Sequence, residues 1–367
     1  MTATRENRVR FGRGSCRVDG VMCDFVPGIE LSRAFYGEVV APLLPGVRHS
    51  AALIGPGSEV LAFDTARSAD HDWGPRVLLF VPPAQVEPVR ERVAAGLPER
   101  FGGFDTVFDY HGVRQPGVVV AELGEWLVDR LGFDPREGVS LLDWLSVPWQ
   151  SLAEVTQGEV FRDELPGAGL ETARQALRWY PQDVWRYVLA CQWQRIGQEE
   201  PFPGRCAEVG DELGSAVVGA RLAREVMRLA LLLRRRYPPY AKWLGSALAR
   251  LPGSAELGEA LGSAMAARSW REREEGLSAA YGRLAALQNR TALAERQEEE
   301  LRGFFDRPFR VIGGERFARA LMASVTDPVV RGLPVAGCVD QLSDTVELVT
   351  SPRRARALTA AVLDLGA

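Results

Sequence analysis

The hydrophobic pattern of this chain changes character once, at about residue 165. Before that point, apolar runs of strand length alternate with helical patterns; these runs lie at residues 49–55, 76–81, 117–123 and 159–162. After it, apolar residues recur every three or four positions in long amphipathic runs. Interleaved strands and helices predict a mixed sheet, and the long runs predict a helical bundle. We therefore expect an α+β protein, with a mixed sheet and helices first and an all-helical part after it.

Three segments follow from this pattern. Residues 1–26 are basic, contain glycine and lack periodicity, which predicts a flexible N-terminal arm. A helix over residues 29–44 opens the folded part, so the first domain is predicted at residues 27–165 and the helical domain at residues 166–367. Within the helical domain, the amphipathic runs include residues 255–287 and 293–305.

Composition excludes several classes of protein. Among 367 residues, 44 Lys plus Arg face 48 Asp plus Glu, so no strong positive field attracts nucleic acid or anionic lipid. No apolar run approaches the roughly 20 residues of a membrane span, and the N-terminus lacks the apolar stretch of a secretory signal. Five cysteines without a CxxC pair are typical of reduced thiols. We expect a cytoplasmic protein without a membrane partner; the charge balance disfavours a nucleic-acid partner without excluding a basic local groove, and the oligomeric state stays open.

Residues 53–81 carry the pattern that most clearly indicates chemistry. A strand runs into Gly57 and Ser58, a turn that can present backbone N–H groups and a hydroxyl to a phosphate. After eleven intervening residues, Asp70-His71-Asp72 leads into an apolar strand, where alternate side chains point the same way. Asp70 and Asp72 would then present two carboxylates on one face. Such a pair beside a phosphate-binding turn suits Mg²⁺ that is held partly by nucleotide phosphates.

The GS turn, the spacing and the DxD pattern, which follow a leading helix, resemble the nucleotidyltransferase superfamily with a catalytic fold of the DNA polymerase β type. The wider context resembles the DUF4037 group of bacterial proteins from about Gly28 to the C-terminus. It consists of the segments GIELSRAFYGEVVAPLL, IGPGSEVLAFDTARSADHDWGPR, YPQDVWRYVLACQWQRIGQEE and YPPYAKWLG.

The resemblance implies roles for five residues of the first domain. Gly57 and Ser58 would bind the triphosphate, and Arg67 is a further candidate for binding the nucleotide. Asp70 and Asp72 would coordinate Mg²⁺ or Mn²⁺. In this chemistry the metal neutralises charge and aligns an acceptor for in-line attack on the α phosphorus, and pyrophosphate leaves.

The superfamily normally supplies a third metal-binding carboxylate from a neighbouring strand. Glu122, in VVVAEL, matches by position and is the first candidate for this catalytic and metal-ligand role; Asp109 is the second. The chain departs from the pattern at Gly74-Pro75, where a proline directly after the DxD implies a bulge or an edge.

The helical part is similar to the C-terminal substrate domains of small-molecule nucleotidyltransferases of the kanamycin type. Lys242 is the single lysine among 44 basic residues, and in that setting it and Tyr240 are candidates for binding the triphosphate. Ordinary core packing explains Tyr240 equally well. Four charged residues around GQEEPFPGR are candidates for binding the substrate, and either glutamate could act as general base; they are Glu199, Glu200, Arg205 and Asp211.

These patterns lead to one main hypothesis and two alternatives. The chain is predicted to be a Mg²⁺-dependent nucleotidyltransferase that uses ATP or another NTP and transfers NMP to a hydroxyl or amine of a small molecule. The first alternative is a toxin-like transfer to RNA or protein. The second is a catalytically degenerate nucleotide-binding sensor or interaction module. No P-loop, GxGxxG or GxSxG pattern occurs, which argues against a P-loop ATPase, a dinucleotide fold and a hydrolase elbow.

Overall fold

A computed structural model describes residues 15–18, 21–70, 73–110, 113–165, 167 and 169–365. The chain divides into two compact units that are interleaved in sequence. The first unit extends to Val128 and also includes residues 154–176, and the second contains residues 129–153 and everything from Leu177 onward. The chain therefore passes between the units three times. The predicted domain boundaries after residues 26 and 165 stay predictions.

The first unit contains most of the strands. They are β1 (Ser15–Val18), β2 (Val21–Asp24), β3 (Ser50–Leu53), β4 (Val77–Phe80), β5 (Arg100–Phe101), β6 (Phe104–Asp105), β7 (Val107–Tyr110), β8 (Val113–Pro116), β9 (Val118–Ala121) and β10 (Glu159–Asp163). Its helices are α1 (Gly28–Phe35), α2 (Val86–Gly96) and α6 (Leu170–Ala176), while α3 (Leu123–Leu131) and α5 (Trp149–Thr156) belong partly to each unit. Helix α1 continues through a π-helical turn at Tyr36–Val40 and a 3-10 turn at Ala41–Leu43.

Four of these strands form one mixed sheet in the order β10-β3-β4-β9. Strand β3 is antiparallel to β10 and to β4, whereas β4 is parallel to β9. Alternate residues of β4, Val77 and Leu79, enter a buried cluster with Phe35 from α1 and Val89 from α2. Helices α1 and α2 therefore cover one face of the sheet, and the expected mixed sheet with helices is confirmed.

Part of the predicted N-terminal arm forms regular structure. Strands β1 and β2 pair antiparallel, with Ser15 opposite Asp24 and Val18 opposite Val21. Residues 1–14 and 19–20 lie outside the described residues. The predicted arm therefore contains a short hairpin, and its flexibility stays a prediction.

The second unit is helical apart from one short hairpin. Its helices are α4 (Leu141–Ser146), α7 (Gln182–Glu199), α8 (Phe202–Glu208), α9 (Glu212–Leu233), α10 (Ala241–Ala249), α11 (Ala255–Ala266), α12 (Trp270–Arg290), α13 (Gly314–Ala323), α14 (Pro328–Gly332), α15 (Val339–Leu342), α16 (Val346–Val349) and α17 (Pro352–Leu363). Strands β11 (Arg302–Gly303) and β12 (Arg310–Val311) form the hairpin. Helix α7 packs against α9 and α13, and Trp193 of α7 stacks on Phe317 of α13 at 4.3 Å. The expected helical C-terminal part is confirmed.

Aromatic residues fill the centre of the second unit. The ring of Trp179 lies 4.7 Å from Tyr237 and 5.9 Å from Trp185, and Tyr180 lies 5.3 Å from Trp144. Large flat rings bury much apolar area at low entropic cost, so this cluster holds α4, α7 and the segment after α9 together.

Two predicted helical runs differ from the structure. Residues 255–287 form two helices, α11 and α12, because the chain turns at residues 267–269. Residues 293–305 were predicted to be helical, but the segment has no helix. Its backbone groups are bound by side chains instead: Asn289 donates to the Gln297 carbonyl at 2.8 Å, and Arg316 donates to the Glu298 carbonyl at 2.9 Å. No described helix is long and apolar enough to cross a membrane.

Candidate functional site

The turn after β3 carries the predicted phosphate-binding residues. Gly55 donates its N–H to the Glu154 carbonyl at 2.9 Å, which fixes the chain at the end of β3. Gly57 has a φ of +150°, a conformation that residues with a side chain rarely adopt. Ser58 follows it and is half-buried, and its hydroxyl has no hydrogen-bond partner among the residues described. Glycine at position 57 thus allows the turn, and the turn presents the Ser58 hydroxyl.

Arg76, the last residue of DHDWGPR, lies against this turn. Its guanidinium donates to the Pro56 carbonyl at 2.8 Å and pairs with the carboxylate of Glu59, which is only 2% exposed. Its backbone N–H donates to Ser32 Oγ at 3.2 Å. A methyl group on Gly57 would overlap the guanidinium. A buried ion pair therefore joins the GS turn to the start of β4.

Sequence reasoning missed this pair because neither residue lies within the GS or DxD pattern. Glu59 directly follows Ser58, and Arg76 directly precedes β4. A charged residue at each edge of a buried strand–turn–strand segment is rarely left without an opposite charge. Charge matching between these two positions is the signal that could have found the pair.

Asp64 holds the segment that leads to the predicted acidic pair. Its carboxylate accepts the N–H of Gly28 at 2.7 Å and the indole N–H of Trp73 at 3.2 Å. The first contact places a negative charge at the N-terminus of α1, where the helix dipole favours it. Residues on both sides of Asp70 and Asp72 are thus tied to the beginning of α1.

The acidic pair itself is only partly described. Asp70 ends a 3-10 turn at Ala66–Asp70, so the expectation that it lies on the strand is wrong; β4 begins only at Val77. The chain bends at Gly74 and Pro75, and that bend separates the acidic pair from the strand. Nothing is described of the Asp70 side chain, and Asp72 lies outside the described residues.

Two further candidates, Arg67 and Asp109, lie in the same unit. Arg67 is exposed on the same 3-10 turn and donates its N–H to Thr65 Oγ1 at 3.3 Å. Asp109 lies on β7, and its side chain is outside the described part of the structure. Among the residues described, no group of three His, Cys, Asp or Glu residues could hold a metal ion. The metal site therefore stays a prediction.

Glu122 lies at the other end of the sheet. Because β4 and β9 are parallel, with Val77 opposite Val118, Glu122 follows the carboxyl end of β9 beside Val81. That position is about 13 Å along the strands from the level of Val77, at about 3.3 Å per residue. Its carboxylate accepts the N–H of Glu125 at 2.6 Å, at the start of α3. The structure thus does not bring Glu122 to the GS turn, and its metal-binding role stays a prediction that this register disfavours.

The candidates around α10 have local contacts in the second unit. Tyr240 precedes α10, is about half exposed, and donates its N–H to the Gln150 side chain at 3.0 Å. Lys242 is exposed, and its ammonium lies 4.8 Å from the centre of the Trp243 ring. A cation over an indole is a favourable contact, and it leaves the ammonium accessible.

Three of the four predicted substrate residues have structural contacts within or between helices of the second unit. Glu199 pairs with Arg221 at 2.9 Å. The guanidinium of Arg205 lies 5.7 Å from the Phe202 ring, and Asp211 caps α9 by accepting the Gly214 N–H at 2.7 Å. These contacts account for the residues structurally, and their binding roles stay predictions.

Glu200 differs from its neighbours because it is buried. Its carboxylate accepts the backbone N–H groups of Ile312 at 2.5 Å, Gly313 at 2.9 Å and Gly314 at 2.9 Å, at the beginning of α13. Burial raises the pKa of Glu200 to about 7, against the opposing effect of these N–H groups and with a smaller contribution from the charge of Glu315. Glu200 therefore joins the end of α7 to the start of α13.

Comparison with known proteins supports one of the resemblances. Residues 144–244 match the model of the DUF4037 family, a domain of unknown function, which confirms the predicted resemblance over that part of the chain. The crystal structure of a nucleotidyltransferase-like protein from Exiguobacterium sibiricum 255-15 matches at 11% identity and a TM-score of 0.30, over 71% of this chain and 75% of that one. No curated protein matches significantly.

Proposed function

We propose that the first unit binds a nucleoside triphosphate and transfers its NMP group to an acceptor. The main support for the proposal is the position of the GS turn, which lies at the end of the sheet where β4 begins. Strand β3 is antiparallel to β4, so the turn after β3 lies beside the start of β4, the end that the segment with Asp70 and Asp72 approaches. The predicted phosphate-binding turn and the start of β4, which the predicted acidic pair precedes in sequence, thus lie at the same end of the sheet.

The described residues support binding of phosphate at this turn. Ser58 offers a half-buried hydroxyl that has no hydrogen-bond partner among the described residues. Arg76 lies against the turn with its charge paired to Glu59, and its Nε is buried without a hydrogen-bond partner in the described part of the chain. A phosphate oxygen would supply the acceptor that this N–H lacks.

The proposal includes a divalent metal with Asp70 and Asp72 as its ligands. Because the Asp70 side chain and all of Asp72 lie outside what is described, the fit of these ligands to Mg²⁺ or Mn²⁺ is untested. When bound, such an ion would neutralise triphosphate charge.

We propose a small hydroxyl or amine compound as the acceptor and ATP as the first donor to test. The position of Glu122 favours one alternative, a nucleotide-binding sensor, since a site without a third carboxylate would bind NTP with little transfer. Transfer to RNA or protein is the other alternative. The overall charge of −4 counts against RNA.

Calorimetric titration of each NTP with and without Mg²⁺ tests this proposal. We expect Mg²⁺-dependent binding that is at least about tenfold weaker in an Asp70→Asn, Asp72→Asn double variant, because the metal ligands are lost. Ser58→Ala should weaken binding about tenfold through one charge-assisted hydrogen bond. The exposed Asp306→Asn is the matched control.

The outcomes separate the candidates. Binding with pyrophosphate release on addition of small hydroxyl or amine compounds supports transfer, and binding without release supports the sensor. Equal affinity with and without Mg²⁺ in the wild type and the double variant would contradict the metal site. Absence of binding by any NTP would contradict the proposal as a whole.

A further inference from the structure

The second unit contains a surface pocket that the proposed function does not use. It is a small surface indentation between the end of α7, α8, α12 and β12. Its apolar wall comes from Pro203, Leu277 and Phe309. Its polar groups come mainly from α12 and from the end of α7. The pocket therefore combines an apolar wall with a polar side.

Tyr281 contributes a hydroxyl with no partner. The side chain lines the pocket and is 2% exposed, and its hydroxyl has no hydrogen-bond partner among the described residues. Burial and then the nearby charges of Glu200 and Glu199 raise the pKa of Tyr281, so the hydroxyl is neutral and lies close to Glu200, another pocket residue. Buried polar groups are nearly always paired, so a group bound in the pocket would complete this one.

Two further polar side chains in the pocket have unused bonding capacity. Glu274 is half-buried, and its Oε1 accepts the backbone N–H of Arg310. Its other oxygen has no hydrogen-bond partner in the described residues, and neither does the hydroxyl of Ser278, one turn further along α12. Carboxylate, serine hydroxyl and tyrosine hydroxyl can all accept hydrogen bonds. The pocket thus offers three acceptors on one side of α12.

Charge determines which ligand fits. Glu274 lines the pocket together with Arg310, whose positive charge acts on it, but the Arg310 side chain is exposed and forms no ion pair with Glu274 or Glu200 within the described structure. The Glu200 oxygens are occupied by the N–H groups at the start of α13, which leaves Glu274 as the open carboxylate. A donor-rich cation with a short apolar stem matches this wall and these acceptors.

We propose that this pocket binds the primary ammonium group of a small amine. The three N–H donors of the ammonium would bond to Glu274, Ser278 and Tyr281, and the carbon stem would lie against Leu277 and Phe309. This site goes beyond the proposed function and does not depend on it, since every residue involved lies in the second unit.

Titration of n-propylammonium chloride into the full chain, without nucleotide, tests the proposal. Saturable binding with a Kd on the order of 1 mM is expected for so small a ligand. Tetramethylammonium chloride has the charge but no N–H donor and should bind at least about tenfold more weakly. Sodium chloride controls for ionic strength, and sodium propionate controls for the apolar stem.

Variants of residues on α12 test whether these side chains bind the ammonium group. Glu274→Gln and Tyr281→Phe should each weaken n-propylammonium binding at least about tenfold, whereas Glu275→Gln, an exposed neighbour on the same helix, should leave it unchanged. Tyr281→Phe keeps the buried ring, so it should fold even if Glu274→Gln does not. Binding of n-propylammonium no stronger than that of tetramethylammonium would overturn the proposal. Full affinity in the Tyr281→Phe variant would also overturn it.

Discussion

Gly57 shows how much a single residue determines at the GS turn. Its φ of +150° lies in a region that essentially only glycine occupies, and the Arg76 guanidinium fills the space where a side chain would begin. The Arg76–Glu59 pair can form only because residue 57 has no side chain to occupy that space. Conformation and charge at this turn are therefore two consequences of the same residue.

Gly57→Ala is expected to destabilise the chain by about 1–3 kcal/mol, because the backbone is strained and the guanidinium must move. Nucleotide binding should weaken in the same variant if the turn binds phosphate. Chemical denaturation measures the first effect and calorimetry the second. Gly37→Ala is the matched control: Gly37 lies in a helical turn of the same unit, and a side chain there meets nothing within 4 Å. Equal stability of the two variants would contradict the role of Gly57.

At the scale of elements, the sequence pattern predicted the strands but not whether neighbouring strands run parallel or antiparallel. The apolar runs predicted β3, β4, β9 and β10 because buried strands have a recognisable composition, and each run became a strand. An apolar run does not show whether it pairs parallel or antiparallel. If β9 ran antiparallel to β4, Glu122 would lie beside the GS turn; the parallel register places it at the opposite end.

The prediction of a helix at residues 293–305 was wrong for a different reason. Its apolar spacing suits a helix, but side chains from outside it, Asn289 and Arg316, bind its backbone groups. The spacing of apolar residues does not reveal such tertiary hydrogen bonds.

The GS turn, in contrast, was predictable, because glycine and serine directly after a strand are typical of a turn. The Arg76–Glu59 pair needed a contact across 17 residues.

The junction of α7 and α13 depends on the protonation of Glu200. A pKa raised from 4.5 to about 7 means that the folded state binds the proton more tightly than the unfolded state. The stability contributed by this group is therefore fully present below about pH 4.5 and is lost as the pH rises through about 7. The loss amounts to about 3 kcal/mol at most.

Glu200→Gln should remove this part of the pH dependence. The measurement is the free energy of unfolding of both proteins from pH 5 to pH 8, and the expected result is a steeper decline in the wild type. Other groups titrate equally in both proteins, so the difference isolates Glu200. Parallel curves would contradict the raised pKa.

At the scale of the whole molecule, residues 129–153 belong with helices that follow them much later in sequence. Trp149 donates its indole N–H to Tyr180 Oη at 3.0 Å and its backbone N–H to Asp340 at 2.8 Å, and Asp143 pairs with Arg356. The DUF4037 match begins at residue 144, within this segment. A cut at the predicted boundary would separate these partners.

A fragment of residues 166–367 is therefore expected to lose cooperative unfolding, because the aromatic cluster would lack Trp144 and Trp149. Thermal unfolding followed by near-ultraviolet circular dichroism measures this, with the full chain as reference. Production of residues 1–165 together with the fragment should restore the transition. A fragment that melts alone as sharply as the full chain would contradict the interleaved arrangement.

Interleaving also sets an order of events during synthesis. Strand β10 must pair with β3, more than a hundred residues earlier, so the four-stranded sheet is complete only after α4 and α5 have left the ribosome. The side chains of Trp144 and Trp149 are then exposed to water until the residues that pack against them have been translated. During that interval both tryptophans remain exposed on the growing chain. A chaperone that binds aromatic segments would meet the nascent chain at this point.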